Sequence, residues 1–114
     1  MKNFVLFLRA NTDMSQSAFT DPKEVAERAK WLEELQANGI VKYLGGTMPP
    51  IPAMAKSIFA DGSVKEGAFM EEKHFLTGFL IIEAETLADA EKIAQTNPIV
   101  LAGGSIEIRE ILLR

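Results

Sequence analysis

A chain of 114 residues, 47% hydrophobic and 25% charged, has the balance of a globular domain with one core, so a single domain over residues 1–114 is expected. The absence of cysteine excludes disulfides, thiolate nucleophiles and thiolate zinc sites, and a lone histidine, His74, excludes a multi-histidine metal centre within one chain. Twelve Lys and Arg against sixteen Asp and Glu leave a net charge of −4, which disfavours nucleic acid and acidic membrane surfaces as partners.

The opening segment Phe4 to Leu8 is apolar at odd and even positions alike, the pattern of a strand covered on both faces and placed in the middle of a sheet. Arg9 ends that run, no small-residue cleavage site follows, and no other run reaches the roughly 20 apolar residues of a membrane span. A cytoplasmic protein is the expectation. Ala10 to Thr20 is polar and too long for a tight turn, which suits a rim or lid over a cleft. Asp21-Pro22-Lys23-Glu24 carries the signature of a helix start, Val25, Ala29, Leu32 and Leu35 recur at helical spacing, and Asn38-Gly39 supplies a left-handed stop. Glu24 and Arg28, four residues apart, suit an ion pair on the helix flank.

Ile40 to Gly46 reads as a second strand, and Lys42 among its apolar residues places it at a sheet edge. Pro49 to Pro52 forces an extended connection. Lys56 to Ala60 and Val64 to Gly67 flank Asp61-Gly62, a tight-turn dipeptide, and predict a small hairpin ribbon attached to the main sheet. Leu76 to Ile82, again apolar on both faces, is the second central strand. Thr86 to Asp89 opens a second helix with Leu87, Ala90, Ile93 and Ala94 inward, ended by Asn97-Pro98. Ile99 to Gly104 has room for one helical turn, and the alternation of Ile106 and Ile108 with Glu107 and Arg109 marks an edge strand.

Without the ribbon the order is strand, helix, strand, strand, helix, strand, an α+β ferredoxin-like fold with a four-stranded antiparallel sheet and two helices on one face. Its first and third strands are central, and these are the two doubly apolar segments. The face without helices then requires a cover, for which a second subunit is expected. The ribbon is expected to pack on that second subunit as well, because a lone two-stranded ribbon is marginal in water.

The stretch Asn97-Pro98-Ile99-Val100-Leu101-Ala102-Gly103-Gly104 before the last strand resembles the Asp-Pro-aromatic-small-Gly ending of the YCII-related family. Glu66-Gly67-Ala68-Phe69 is similar to the Asp-Gly-Pro-Phe signature of the DGPF branch of that family, and Gly45 to Pro50 resembles the segment after its second strand. The resemblance implies a dimeric α+β barrel with a cleft between sheet and helices. YCII-type members pair a first-helix histidine with the aspartate of Asp-Pro; counted back from Gly39, the resemblance puts Arg28 at the histidine position and Asn97 at the aspartate position. A guanidinium does not accept a proton near neutral pH, and an amide does not stabilise an imidazolium as a carboxylate does. The family's His-Asp chemistry is therefore not carried over.

The leading expectation is a small polar or anionic organic ligand in the sheet–helix cleft of a homodimer, with Arg28, His74, Asn97 and Arg9 as the ligand-binding candidates. Arg28 suits a carboxylate or phosphate, His74 is the one side chain that ordinarily titrates near neutrality, Asn97 is also a natural helix-end residue, and Arg9 ends the first strand. Trp31, Tyr43 and Phe69 suit an apolar pocket as well as a core or interface, and Met48, Met54 and Met70 suit an adaptable surface. Ser15 and Ser17 lack a nucleophile motif, and Gly45-Gly46 and Gly103-Gly104 lack the spacing of a phosphate loop, so no cofactor is expected. The alternatives are a cofactor-independent monooxygenase or isomerase using His74 as base, and a regulatory interaction module presenting the ribbon with Met54 and Phe59.

Overall fold

Ten residues, Lys2–Asn11, form β1 in the computed structural model, which describes residues 1–11, 21–49, 51–68 and 74–112. Phe4 and Leu6 are fully buried on one face of β1, whereas Val5 and Phe7 point to the opposite face and stay half-buried. The antiparallel partner is β5, His74–Ala84, with Phe4 opposite Ile82, Leu6 opposite Leu80, Val5 opposite Ile81 and Phe7 opposite Phe79. With β2 (Val41–Thr47) and β6 (Ser105–Ile111) at the edges, the sheet has the order β2-β5-β1-β6. The doubly apolar strands hold the centre because only there are both faces available for cover. The edges carry charge: Lys42 lies 3.2 Å from Glu83, and Arg9 pairs with Glu107.

The first helix, α1, spans Pro22–Ala37, with the Asp21 side chain accepting from the Lys23 N–H at 2.8 Å. Thr86 caps α2 (Leu87–Gln95) by accepting from the Asp89 N–H at 3.1 Å. The expected single turn after it is α3, Pro98–Leu101, and Asn97 is its N-cap. Trp31 and Leu35 of α1 and Ala90 and Ala94 of α2 cluster with Phe4, Leu6, Leu80 and Ile82, so the core lies between the helices and one face of the sheet. The other face carries Val5, Phe7, Phe79 and Ile81, half-buried and with no helix packed over them among the described residues. No helix among the described residues is long and apolar enough to cross a membrane.

Three expectations are corrected. Val25 and Leu87 are 44% and 56% exposed rather than inward, because each borders an opening: Val25 a large cavity, Leu87 a shallow groove beside β6. The ribbon, β3 (Lys56–Ile58) with β4 (Val64–Glu66), is a separate two-stranded sheet rather than an extension of the main one. Its turn is also wider than two residues: beyond Ile58 opposite Val64 the Phe59 N–H donates to the Ser63 carbonyl at 2.9 Å, which leaves residues 60–62 in the turn, and the Asp61 carboxylate organises it by accepting from the Ser63 hydroxyl at 2.6 Å and the Ser63 N–H at 2.9 Å. Those two bonds hold the Asp61 carboxyl below its ordinary value of 3.8.

Candidate ligand-binding cleft

Beneath the N-terminal half of α1 a cavity of about 800 Å³ opens between α1, β2 and β5, within the range of small-molecule sites. Two local features shape it. The ladder between β2 and β5 slips between Val41 and Tyr43 and again between Tyr43 and Gly46, and such bulges bend a strand. Gly45 stands in the second slip with φ +66°, where a Cβ would meet the Phe79 carbonyl oxygen at 1.8 Å, so glycine alone lets β2 approach β5 this closely.

Leu8, Leu32, Leu44, Leu80 and Ile99 give the cavity an apolar wall, completed by the Trp31 indole. Trp31 is buried, and its Nε1–H donates to Thr96 Oγ1 at 2.7 Å while the Thr96 hydroxyl donates to the Ile93 carbonyl at 2.7 Å. This relay satisfies the indole N–H and fixes the ring's orientation on the wall.

The polar equipment is narrow. Arg28, half-buried on α1, is the one formally charged side chain among the described lining residues. Asn97, 3% exposed, uses Oδ1 to accept from the Ile99 N–H at 2.8 Å, which fixes the amide and leaves its two N–H donors, with one lone pair of Oδ1, as its remaining hydrogen-bonding capacity. Thr47 and Thr77 add hydroxyls, the latter donating to the Leu8 carbonyl at 3.4 Å. No carboxylate, imidazole, amine or phenol lines the cavity among the described residues.

Arg28 and Asn97, far apart in sequence, thus meet on one cavity; His74 and Arg9 do not join them. Arg9 pairs with Glu107 on the sheet face away from the helices. His74 begins β5 opposite Asn11, and its buried Nδ1 meets no hydrogen-bond partner among the described residues. Trp31 lines the cavity, whereas Tyr43 is exposed with its ring tilted against Phe79 at 6.3 Å between centroids, and Phe69 lies outside the described residues. Residues 12–20 of the expected rim or lid, with Ser15 and Ser17, and Met70 also lie outside them. Thr96 is invisible in sequence terms, being 65 positions from Trp31. Thr47 and Thr77 carry no more signal than any strand threonine.

Two helices over one face of a four-stranded antiparallel sheet, with a cleft between them, define a ferredoxin-like α+β domain with a ligand-sized cavity. The YCII-related domain model matches residues 5–113, and the chain belongs to that family. Among solved structures it is similar to the 5-chloro-2-hydroxyhydroquinone dehydrochlorinase of Burkholderia phenoliruptrix AC1100 in complex with 2,5-dihydroxybenzoquinone. The TM-score is 0.54 and the identity 20%, over 96% of this chain and 93% of that one, a likeness of fold. No curated protein matches the chain.

Proposed function

We propose that the cleft binds a small organic ligand with an apolar body and an anionic or oxygen-rich end, in a homodimer, without the His-Asp proton transfer that the family resemblance implies for other members. The observation that carries this reading is one cavity whose walls are apolar and whose principal polar groups, Arg28 and Asn97, both offer N–H. Donors of this kind recognise carboxylate, enolate or quinone oxygens. The quinone held by the structurally similar dehydrochlorinase is a ligand of that chemical character.

An enzyme of the cofactor-independent kind needs a proton acceptor at the cavity. None stands among the described lining residues, and His74 lines neither this cavity nor the groove beside β6, so the binding reading is preferred. The homodimer is supported by the sheet face that the helices leave bare.

The test uses Trp31, the single tryptophan of the chain, as a reporter of occupancy. Aromatic and aliphatic carboxylates and hydroxyquinones are titrated by intrinsic fluorescence and by thermal shift. At least one class is expected to give a saturable emission change and a raised Tm. Arg28→Ala is expected to weaken it roughly 10- to 100-fold, the worth of a charge-assisted hydrogen bond. A panel without effect, or an unchanged titration in Arg28→Ala, overturns the reading.

A further inference from the structure

The β3–β4 ribbon is well made yet stands uncovered. Asp61 and Ser63 organise its turn, and the Ser57 hydroxyl donates to the Gly67 carbonyl at 3.0 Å. Ile58 and Val64, directly opposite each other, are nevertheless 76% and 57% exposed, and Phe59 and Met54 beside them are exposed too. A two-stranded ribbon with its apolar side chains in water is marginal by itself, so this one requires a surface to lie on.

The dimensions of the chain point the same way. It measures 42 × 40 × 19 Å with a radius of gyration of 15.2 Å, against about 13 Å for a compact domain of this length. Its accessible surface is 7985 Å², whereas a compact monomer of this mass exposes about 6,200 Å². The excess of about 1,800 Å² is more than twice the ~800 Å² per partner that a standard interface covers.

We infer that the ribbon is an arm that closes on a second copy of this chain. The same chain supplies the matching surface: β2, from which the arm departs, exposes Tyr43, whose ring tilts against Phe79 of the bare sheet face, so this strip of the sheet margin offers apolar surface as the arm does. A two-fold axis beside that strip sets it against its own copy and covers arm and margin together. The inference rests on the second copy proposed above, to which it adds the arm, and is independent of the cleft's ligand.

The experiment compares wild type with Ile58→Asp/Val64→Asp by multi-angle light scattering at micromolar concentration, with circular dichroism as the check of folding. Wild type is expected at the mass of two chains and the double variant, still folded, at the mass of one. A double variant that remains a dimer overturns the arm and leaves the sheet-face contact standing; a monomeric wild type overturns both. Ile58→Cys, the sole thiol in an otherwise cysteine-free chain, gives a readout that does not depend on the double variant folding. Its alkylation is expected to quicken severalfold on dilution to the monomer, and a rate independent of protein concentration overturns the proposal.

Discussion

At Asn97 one amide meets two demands: its Oδ1 caps α3 through the Ile99 N–H, and its two N–H donors remain for a ligand in the cavity. Substitutions separate them. Asn97→Ala removes both and is expected to cost about 1 kcal/mol through the cap alone, plus the effect of an emptied buried site. Asn97→Asp keeps a capping oxygen but replaces the donors with a negative charge. It is therefore expected to be the more stable of the two at neutral pH yet the weaker binder of a carboxylate ligand. Chemical denaturation and a Trp31 fluorescence titration check the two orders separately, and identical rankings in both measurements contradict the assignment. Arg28 and Asn97 could be singled out because a family resemblance marked their positions and their side-chain chemistry is distinctive. The Trp31–Thr96 bond could not, since a threonine near a helix end has many equally ordinary uses.

Elements were legible where their causes are local. Asp21 and Thr86 cap the helices they precede, because a capping bond spans only two or three residues. The two doubly apolar strands took the centre of the sheet for an equally local reason. Helical periodicity names a face without saying what stands opposite each turn, which is why Val25 and Leu87 read as core and prove to border openings. The slips in β2 were also hidden, although Gly45 marks one of them. Gly39 and Gly45 share nearly the same positive φ, +69° and +66°, but a Cβ at Gly39 meets nothing within 4 Å, whereas at Gly45 it meets the Phe79 carbonyl. Gly39→Ala is thus expected to lose only the left-handed strain, about 1–2 kcal/mol. Gly45→Ala must also push β2 off β5 and is expected to lose several times as much in urea denaturation. Equal losses at the two sites contradict the close approach.

For the molecule as a whole, the bare sheet face has the anatomy of an interface: Val5, Phe7, Phe79 and Ile81 in the middle, and the ion pairs Arg9–Glu107 and Lys42–Glu83 towards its margins. Val5 and Ile81 face each other across β1 and β5 on the side away from the core. Val5→Asp is therefore expected to leave the helix-side packing intact and to convert the proposed dimer to a monomer, seen as a halved mass in light scattering with an unchanged circular dichroism spectrum. A Val5→Asp protein that stays dimeric removes the sheet face from the interface.

The root of the arm and the rim of the cavity are the same few residues. Met48 donates to the Thr77 carbonyl at 2.6 Å, extending the β2–β5 contact by one bond, and Met48 and Pro49 both line the cavity before the chain turns outward into the ribbon. Pro49 and Pro52, with φ fixed by their rings, make this junction stiff, so an arm seated on a partner holds the rim with little freedom to swing. Assembly and occupancy are then two sides of one thermodynamic linkage. A ligand that favours the seated position of Met48 and Pro49 tightens association by the same factor by which association tightens its binding.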